Sequence, residues 1–505
     1  MVSDTVSYQG KNHSLRTGGD YRRYNSQGYT RDSGRLNFPT MADFIAGVAN
    51  AFTITIGDQH ADISQNTVGL FVQDQLRLRQ NLTMNLGFRA DWTMAPTEQE
   101  GRFVVFDPST VSLVRVETVY GSRMNLQPRV GIAWDLSGQG AAVVRAAYGV
   151  YTNQPPINML LGTTTNPPLV TPLSYSGSIG LDNAIDLARA TGLAPSTVDP
   201  DFSPASTQSW NLNLQRELAH NIALMVGYFG ARGSGLQIAT NINQPTGQVR
   251  PFPRLSESSP ILPGASLGNI TEIGSLSRSD YRALWFSLRG RVSGGLQLLG
   301  SYTLSKSTDY NSLTTQGVVA QDSYRLRGEV GASDYDARHR ATVTAVYELP
   351  FRGNPIVEGW QIAAVVQAQS GSPVNIVTST STINGIPNTV RPDLIGPVQT
   401  VGRIDQWFDT SAFVAVNQFG NVSRNAVIGP SFNSTDLSVR KTITLGRSRR
   451  LEVRAECFNL FNHVNLGQPG NIVGSANFGV ITNTRFPTGE LGSSRQLQLA
   501  AKVTF

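Results

Sequence analysis

Residues 68–92 read VGLFVQDQLRLRQNLTMNLGFRADW, two alternating segments on either side of Gln80-Asn81. In the first, Val68, Leu70, Val72, Leu76 and Leu78 alternate with Gln73, Gln75, Arg77 and Arg79. In the second, Leu82, Met84, Leu86, Phe88, Ala90 and Trp92 alternate with Thr83, Asn85, Arg89 and Asp91. Side chains of a strand point to opposite faces with a period of 2, so this is a hairpin with one apolar and one polar face.

The pattern recurs along the chain. Further hairpins are expected at about 126–135 with 142–151, and at 210–215 with 222–228 around Ala219-His220-Asn221. Others lie at 284–291 with 296–304 around Ser293-Gly294-Gly295, and at 337–349 with 357–370. Leu437, Val439 and Ile443 pair with Leu451, Val453, Ala455 and Cys457, and a weaker pair spans 3–9 and 13–23. The last ten residues put Leu497, Leu499, Ala501, Val503 and Phe505 on one face. Seven hairpins and this final strand make about fifteen strands.

Between the hairpins lie long connections rich in Gly, Pro, Ser, Thr and Asn, at about 25–65, 93–123, 152–205, 231–279, 307–335, 371–434 and 460–495. So many long loops argue against a compact soluble domain. They fit a transmembrane barrel, whose periplasmic turns are short and extracellular loops long. Trp92, Tyr151, Trp210, Tyr228, Tyr302, Tyr347 and Trp360 stand near segment ends, where interfacial aromatic girdles belong. The fold expected is all-β, an antiparallel transmembrane outer-membrane β-barrel forming one domain over residues 1–505.

Composition limits the function. The chain has 505 residues, 15% charged, with 49 Gly and no apolar run near 18 residues, so no transmembrane helix is expected. A net charge of +6, with arginines spread along the chain, gives no nucleic-acid surface. One cysteine, Cys457, excludes an internal disulfide framework, and the five histidines show no metal-ligand spacing. No bond chemistry, cofactor or metal is expected.

The strand count carries an expectation of its own. With the short turns periplasmic, the final strand descends to leave Phe505 at the periplasmic edge, and the first strand also descends. Single-chain bacterial barrels have an even strand number, and plugged transporters have 22. With no signal peptide at Met1-Val2-Ser3-Asp4, the expectation is an N-terminally truncated wall, about fifteen of 22 strands, without a plug.

Several blocks resemble TonB-dependent transporters of the Oar-like type. They include Gly69-Leu70-Phe71-Val72-Gln73-Asp74-Gln75 with 81–89, Gln127-Pro128-Arg129-Val130-Gly131-Ile132-Ala133-Trp134-Asp135, and residues 144–151. Asp336-Ala337-Arg338-His339-Arg340 with Tyr347-Glu348-Leu349-Pro350-Phe351 and, most specifically, residues 452–463 (EVRAECFNLFNH) complete the set. The resemblance implies a Gram-negative outer-membrane receptor for an unidentified solute. It implies TonB as a partner only through an N-terminal plug and TonB box, which this sequence lacks. It also implies that outer-membrane lipid and lipopolysaccharide surround the wall, and that Phe505 ends the strand read by the assembly machinery. The alternatives are a passive pore or loop-bearing surface protein without energy coupling and, further off, a soluble β-sandwich enzyme or lectin.

On the polar faces, Arg77, Arg79, Arg89, Arg289, Arg291, Arg440 and Arg454 are candidates for contact with a solute or plug. The plainer reading pairs them with wall carboxylates such as Asp91, Glu452 and Glu456, since buried charges are normally paired. Asp336 and His339 suggest a catalytic pair, but no nucleophile accompanies them. Asp322, Glu329, Asp334 and Asp336 lack the spacing of a calcium loop. Gly230-Ala231-Arg232-Gly233-Ser234-Gly235 resembles a phosphate loop but precedes no helix, so a flexible loop root is expected. Cys457 alternates with apolar residues and reads as a small apolar side chain.

Overall fold

The alternating segments assemble into one antiparallel sheet in chain order. A computed structural model describes residues 1–505 except 31, 181, 293, 313–316, 355, 381, 446–448 and 487–493. Ser293 of an expected turn, and parts of the connections at 25–65, 152–205, 307–335, 371–434 and 460–495, therefore lie outside the described residues.

Fifteen strands form the wall. They are β1 Val2–Gln9, β2 His13–Thr30, β3 Gln59–Arg79, β4 Leu82–Thr93, β5 Arg123–Asp135, β6 Ala142–Thr152, β7 Ser206–Ala219 and β8 Ile222–Asn241. The others are β9 Thr271–Val292, β10 Leu296–Asp309, β11 His339–Glu348, β12 Trp360–Gln369, β13 Phe432–Thr444, β14 Arg450–Phe458 and β15 Gln496–Thr504. Each pairs antiparallel with the one before and the one after it. Three short strands, Thr97–Glu98, Ser196–Val198 and Gly331–Ala332, attach to its upper margin and complete an 18-stranded sheet. Among the described residues β1 and β15 do not pair with each other, so the sheet has two edges.

Between a few bulges, at Arg77/Arg79, Glu217/Ala219 and above Gly233, the register gives each face one identity. Val72 pairs with Phe88, Val130 with Leu86 and Tyr148, and Tyr148 with Trp210. Leu437, Cys457 and Leu497 continue that apolar face at the far edge. Its side chains are uncovered: Leu70 is 62% exposed, Leu499 83% and Phe505 85%. A large exposed apolar band marks a surface that meets something other than water.

The structure corrects the sequence reading in three places. First, the strands run much further than the alternation. β3 begins at Gln59, β8 continues to Asn241 and β9 starts at Thr271. A strand of 22 residues such as β9 spans about 70 Å, whereas crossing a bilayer takes about 9–11 residues. In the upper part of β3, Ile63, Ser64 and Gln65 are buried one after another. Both faces are covered there, so no alternation is required and none is visible.

Second, the long connections are folded. Residues 35–37, 48–57 and 170–180 form a three-stranded sheet on which helix Ala184–Thr191 packs. Ile63, Phe103, Met159, Leu160, Phe202 and Ile273 form a closed apolar core, and Phe106, Leu113, Leu267 and Ile270 a second. A third gathers Ile376, Phe408, Phe413, Val422 and Val427 from the 371–434 connection. Each such side chain contributes about 1.5–3 kcal/mol on burial. The hydrophobic cores thus sit above the wall, in a loop layer, not in the wall itself.

Third, the segment 230–235 is no loop root. It lies inside β8, with Gly230 opposite Arg282 and under the indole of Trp210, leaving no room for a Cβ.

Candidate solute-facing lumen and loop layer

On the polar face, β2, β4, β5 and β6 bring charges together. Arg89 donates from Nη2 to Asp20 Oδ1 at 2.7 Å and lies 2.6 Å from Asp91 Oδ1. Arg22 reaches the other oxygen of Asp20 at 2.7 Å. Gln127 Nε2 donates to Asp91 Oδ2 at 2.5 Å, and its Oε1 accepts from Arg129 Nη2 at 3.2 Å. The Arg129 guanidinium then stacks 4.6 Å from the ring centre of Tyr151. The Arg89, Asp20 and Asp91 side chains are at most 14% exposed, so this is a partly desolvated chain of charge-assisted bonds.

Gly69 makes the cluster possible. A Cβ at this position would run into the Arg89 guanidinium and the Asp91 carboxylate. Tyr151, expected in an aromatic girdle, belongs here instead: its register with Thr207 sets it on the polar face beside Arg129. Trp92, Trp210, Tyr228, Tyr302, Tyr347 and Trp360 do lie on the apolar face, as does Trp134, which the sequence reading omitted.

The structure divides the seven candidate arginines. Arg89 is committed to Asp20 and Asp91. Arg440 lies 3.5 Å from Glu452, and Arg454 3.6 Å from Glu456, both among the carboxylates considered above. Arg77, Arg79, Arg289 and Arg291 are exposed beside the short turns and form no ion pair among the described residues. The seven are therefore not one site. Asp20, Arg22, Gln127 and Arg129 were missed, although their parity with Arg89 and Asp91 was readable.

The loop layer has its own ionic joints. Glu329 and Arg391 bond at 2.7 Å with both side chains buried, and Arg391 Nε also donates to the Val422 carbonyl. Arg424 reaches both Asp309 and Asp334, and Asn425 donates to Asp334 at 2.6 Å. Asp322 accepts from Gln244, and Asp336 from the Ser307 amide. Each of the four acidic residues considered for calcium has its own protein partner, and no metal-ligand group forms among the described residues. Asp336 and His339 do not meet. His339 Nδ1 instead shares a hydrogen bond with the Tyr302 hydroxyl at 2.7 Å.

In the loop layer, surroundings shift the titration of Asp58 and Tyr120 in opposite senses. Asp58, hydrogen-bonded by Arg102, is held below the ordinary carboxylate range. Burial pushes the Tyr120 hydroxyl up to about 12, opposed by the hydrogen bond from Gln65 Nε2 at 3.0 Å.

Residues 1–498 match the outer membrane beta barrel domain family. The chain belongs to that family. Among curated proteins no sequence matches it. Solved structures of similar fold include the outer membrane transporter YddB of Escherichia coli, with a TM-score of 0.55 and 13% identity over 100% of this chain and 54% of that one. The iron transporter FrpB of Neisseria meningitidis gives 0.51 and 11% identity over 99% of this chain and 54% of its own. The siderophore receptor PirA of Acinetobacter baumannii gives 0.50 and 10%, over 100% and 53%. The chain thus spans about half the length of these neighbours, and at such identities they speak for the fold alone.

The outer-membrane β-barrel protein resides in the cell outer membrane, and its wall resembles that of TonB-dependent transporters. The exposed apolar face is the lipid face, the charged face is the lumen, and the folded loop layer is extracellular, opposite the short turns.

Proposed function

We propose that this chain forms wall and capture surface of a TonB-dependent uptake receptor of the Oar-like type. The observation that carries this reading is the loop layer. Connections that could have been open loops are instead built around three closed apolar cores and tied by the buried Glu329–Arg391 pair. A rigid layer above a charge-lined lumen suits selective binding of a solute, because pre-ordered groups lose little entropy on contact. In this reading β1 and β15 meet further wall strands, since an open sheet edge is not tolerated in hydrocarbon. A plug fills the lumen and engages the free Arg77, Arg79, Arg289 and Arg291 near its periplasmic end. The exposed Phe505 ends the strand read by the assembly machinery.

Uptake by cells carrying the full gene region tests the proposal. Radiolabelled ferric chelates, oligosaccharides and peptides are offered with the proton gradient intact or collapsed, and with TonB present or deleted. Accumulation of one class that needs both supports the receptor. Accumulation that needs neither makes the protein a passive pore, and no accumulation with no binding of any class overturns the reading.

A further inference from the structure

Above the apolar band, three adjacent wall strands turn a group of cations toward the lipid side. The register of β8, β9 and β10 is unbroken from Val226 up to the pair Gly233–Ser279, so alternation carries the outward face up from the hydrocarbon to that height without a slip. Row by row, Val226, Phe286 and Tyr302 face outward, then Tyr228, Leu284 and Leu304. The next row has Gly230, Arg282 and Lys306, and the one above it Arg232, Asp280 and Thr308. Arg278 follows on β9 where the register against β8 shifts, exposed and lining the recess beside Asp280. The apolar surface therefore ends at the Trp210 and Tyr228 girdle and gives way within one row to charge.

The charges do not balance. Arg232, Arg278, Arg282 and Lys306 stand against a single carboxylate, Asp280, on the outward face of these strands. Asp280 holds two of them, with Arg282 Nε at 3.0 Å and Arg232 Nη2 at 3.3 Å, while its own side chain is 28% exposed and each arginine 60%. The terminal nitrogens of Arg282 and the Lys306 ammonium have no partner among the described residues. Beside them Arg232, Arg278, Ser279, Asp280, Thr308, Asp309, Tyr310 and Val330 line a recess of about 300 Å³, in which the Asp309 carboxylate is already held by Arg424. Like charges gathered at one height repel unless an anion sits among them. At this height, one row above the girdle on the loop side, the anions at hand are those of the outer leaflet headgroups.

We propose that Arg232, Arg278, Arg282 and Lys306 form a binding site for the phosphorylated headgroup of an outer-leaflet lipid, the bis-phosphorylated sugar of lipopolysaccharide being the chemistry that fits. Asp280 is the positioning residue, holding the Arg232 and Arg282 guanidinium groups side by side. Guanidinium forks suit phosphate because they offer paired donors in one plane. The acyl chains then run down over Leu284, Phe286 and Tyr228 on the same face. The site depends on the membrane placement of the wall and not on any transport activity.

Native mass spectrometry of the detergent-purified protein, titrated with bis-phosphorylated lipid A, monophosphorylated lipid A or phosphatidylcholine, tests this. Each cation near an anionic surface accounts for about fivefold in affinity. The expected result is retention in the order bis-phosphorylated, monophosphorylated, phosphatidylcholine. The triple substitution R232Q/R282Q/K306Q then weakens the first by tenfold or more and leaves phosphatidylcholine unchanged. Lys306→Gln alone, which touches no ion pair, is expected to lose about fivefold and serves if the triple variant does not fold. Arg216→Gln removes an outward cation at the opposite rim and is expected to change nothing. Equal retention of all three lipids, or equal losses in R216Q and K306Q, overturns the proposal. So does retention of lipid A abolished by millimolar inorganic phosphate, which would make this a site for the free ion.

Discussion

Glu329 and Arg391, 62 residues apart in the chain, meet at 2.7 Å inside the loop layer with side chains 2% and 3% exposed. Arg391 also donates to the carbonyls of Val422 and Gly328, so one guanidinium joins three segments that the sequence keeps far apart. Removing one member of such a pair strands a buried charge at a cost of about 3–5 kcal/mol, far more than an exposed pair contributes.

Arg391→Met is therefore expected to loosen the loop layer while leaving the wall intact. Added protease on whole cells should cut within 371–434 in the variant and spare the parent. Unaltered heat-modifiable migration would show that the wall has survived. Equal resistance in both proteins would contradict the role assigned to the pair.

Gly69→Ala is expected to destabilise the wall by about 1–3 kcal/mol, as overpacking commonly does. The new methyl group displaces the Arg89 guanidinium from Asp20 and Asp91. Coupling identifies the cause: in an Arg89→Ala background the same change should cost much less. Additive losses in the heat-modifiability midpoint would show that Gly69 matters for another reason.

The Asp58–Arg102 joint predicts an acid response. Asp58 has a folded pKa below its unfolded value because Arg102 and the His60 amide hold its charged form. Its stabilising effect is complete above the ordinary carboxylate pKa and disappears as pH falls through the lowered folded value. Asp58→Asn should make 94–122 more open to protease at neutral pH. Parent and variant should become alike in strong acid.

Tyr120 predicts the opposite limb. With the folded pKa at about 12, the neutral hydroxyl is retained in the folded state after an unfolded tyrosine has begun to ionise near 10. Stability linked to Tyr120 is complete below about pH 10 and falls as pH rises toward 12. Tyr120→Phe should flatten that alkaline decline, which denaturation of the loop layer at stepped pH would reveal as a smaller slope. An identical slope in both would remove Tyr120 as its source.

The wall was legible because lipid on one side and a polar lumen on the other enforce a period of 2, and that is what residues 68–92 and 496–505 display. All seven hairpins and the final strand follow from it. Where the strands leave the bilayer the constraint ends. Ile63, Ser64 and Gln65 are covered on both faces, and the tops of β3, β8 and β9 look like loops. The pairing of 48–57 with 170–180, and of Glu329 with Arg391, depends on contacts between distant segments that leave no local period. The candidate arginines show the same division. Parity placed Arg89 on the lumen side, but only the fold shows that Asp20, from another hairpin, is the partner of Arg89.

The overhang of β8 and β9 also changes what the cell presents to its surroundings. With about half of a 22-residue strand enough for the bilayer, the remainder stands as a stiff stalk under the folded loops. A phage tail or an antibody arriving at the cell touches this raised platform before it touches lipid. Variation selected by such encounters should collect on exposed loop residues such as Val249, Tyr324 and Ile395, while the stalk beneath is left alone.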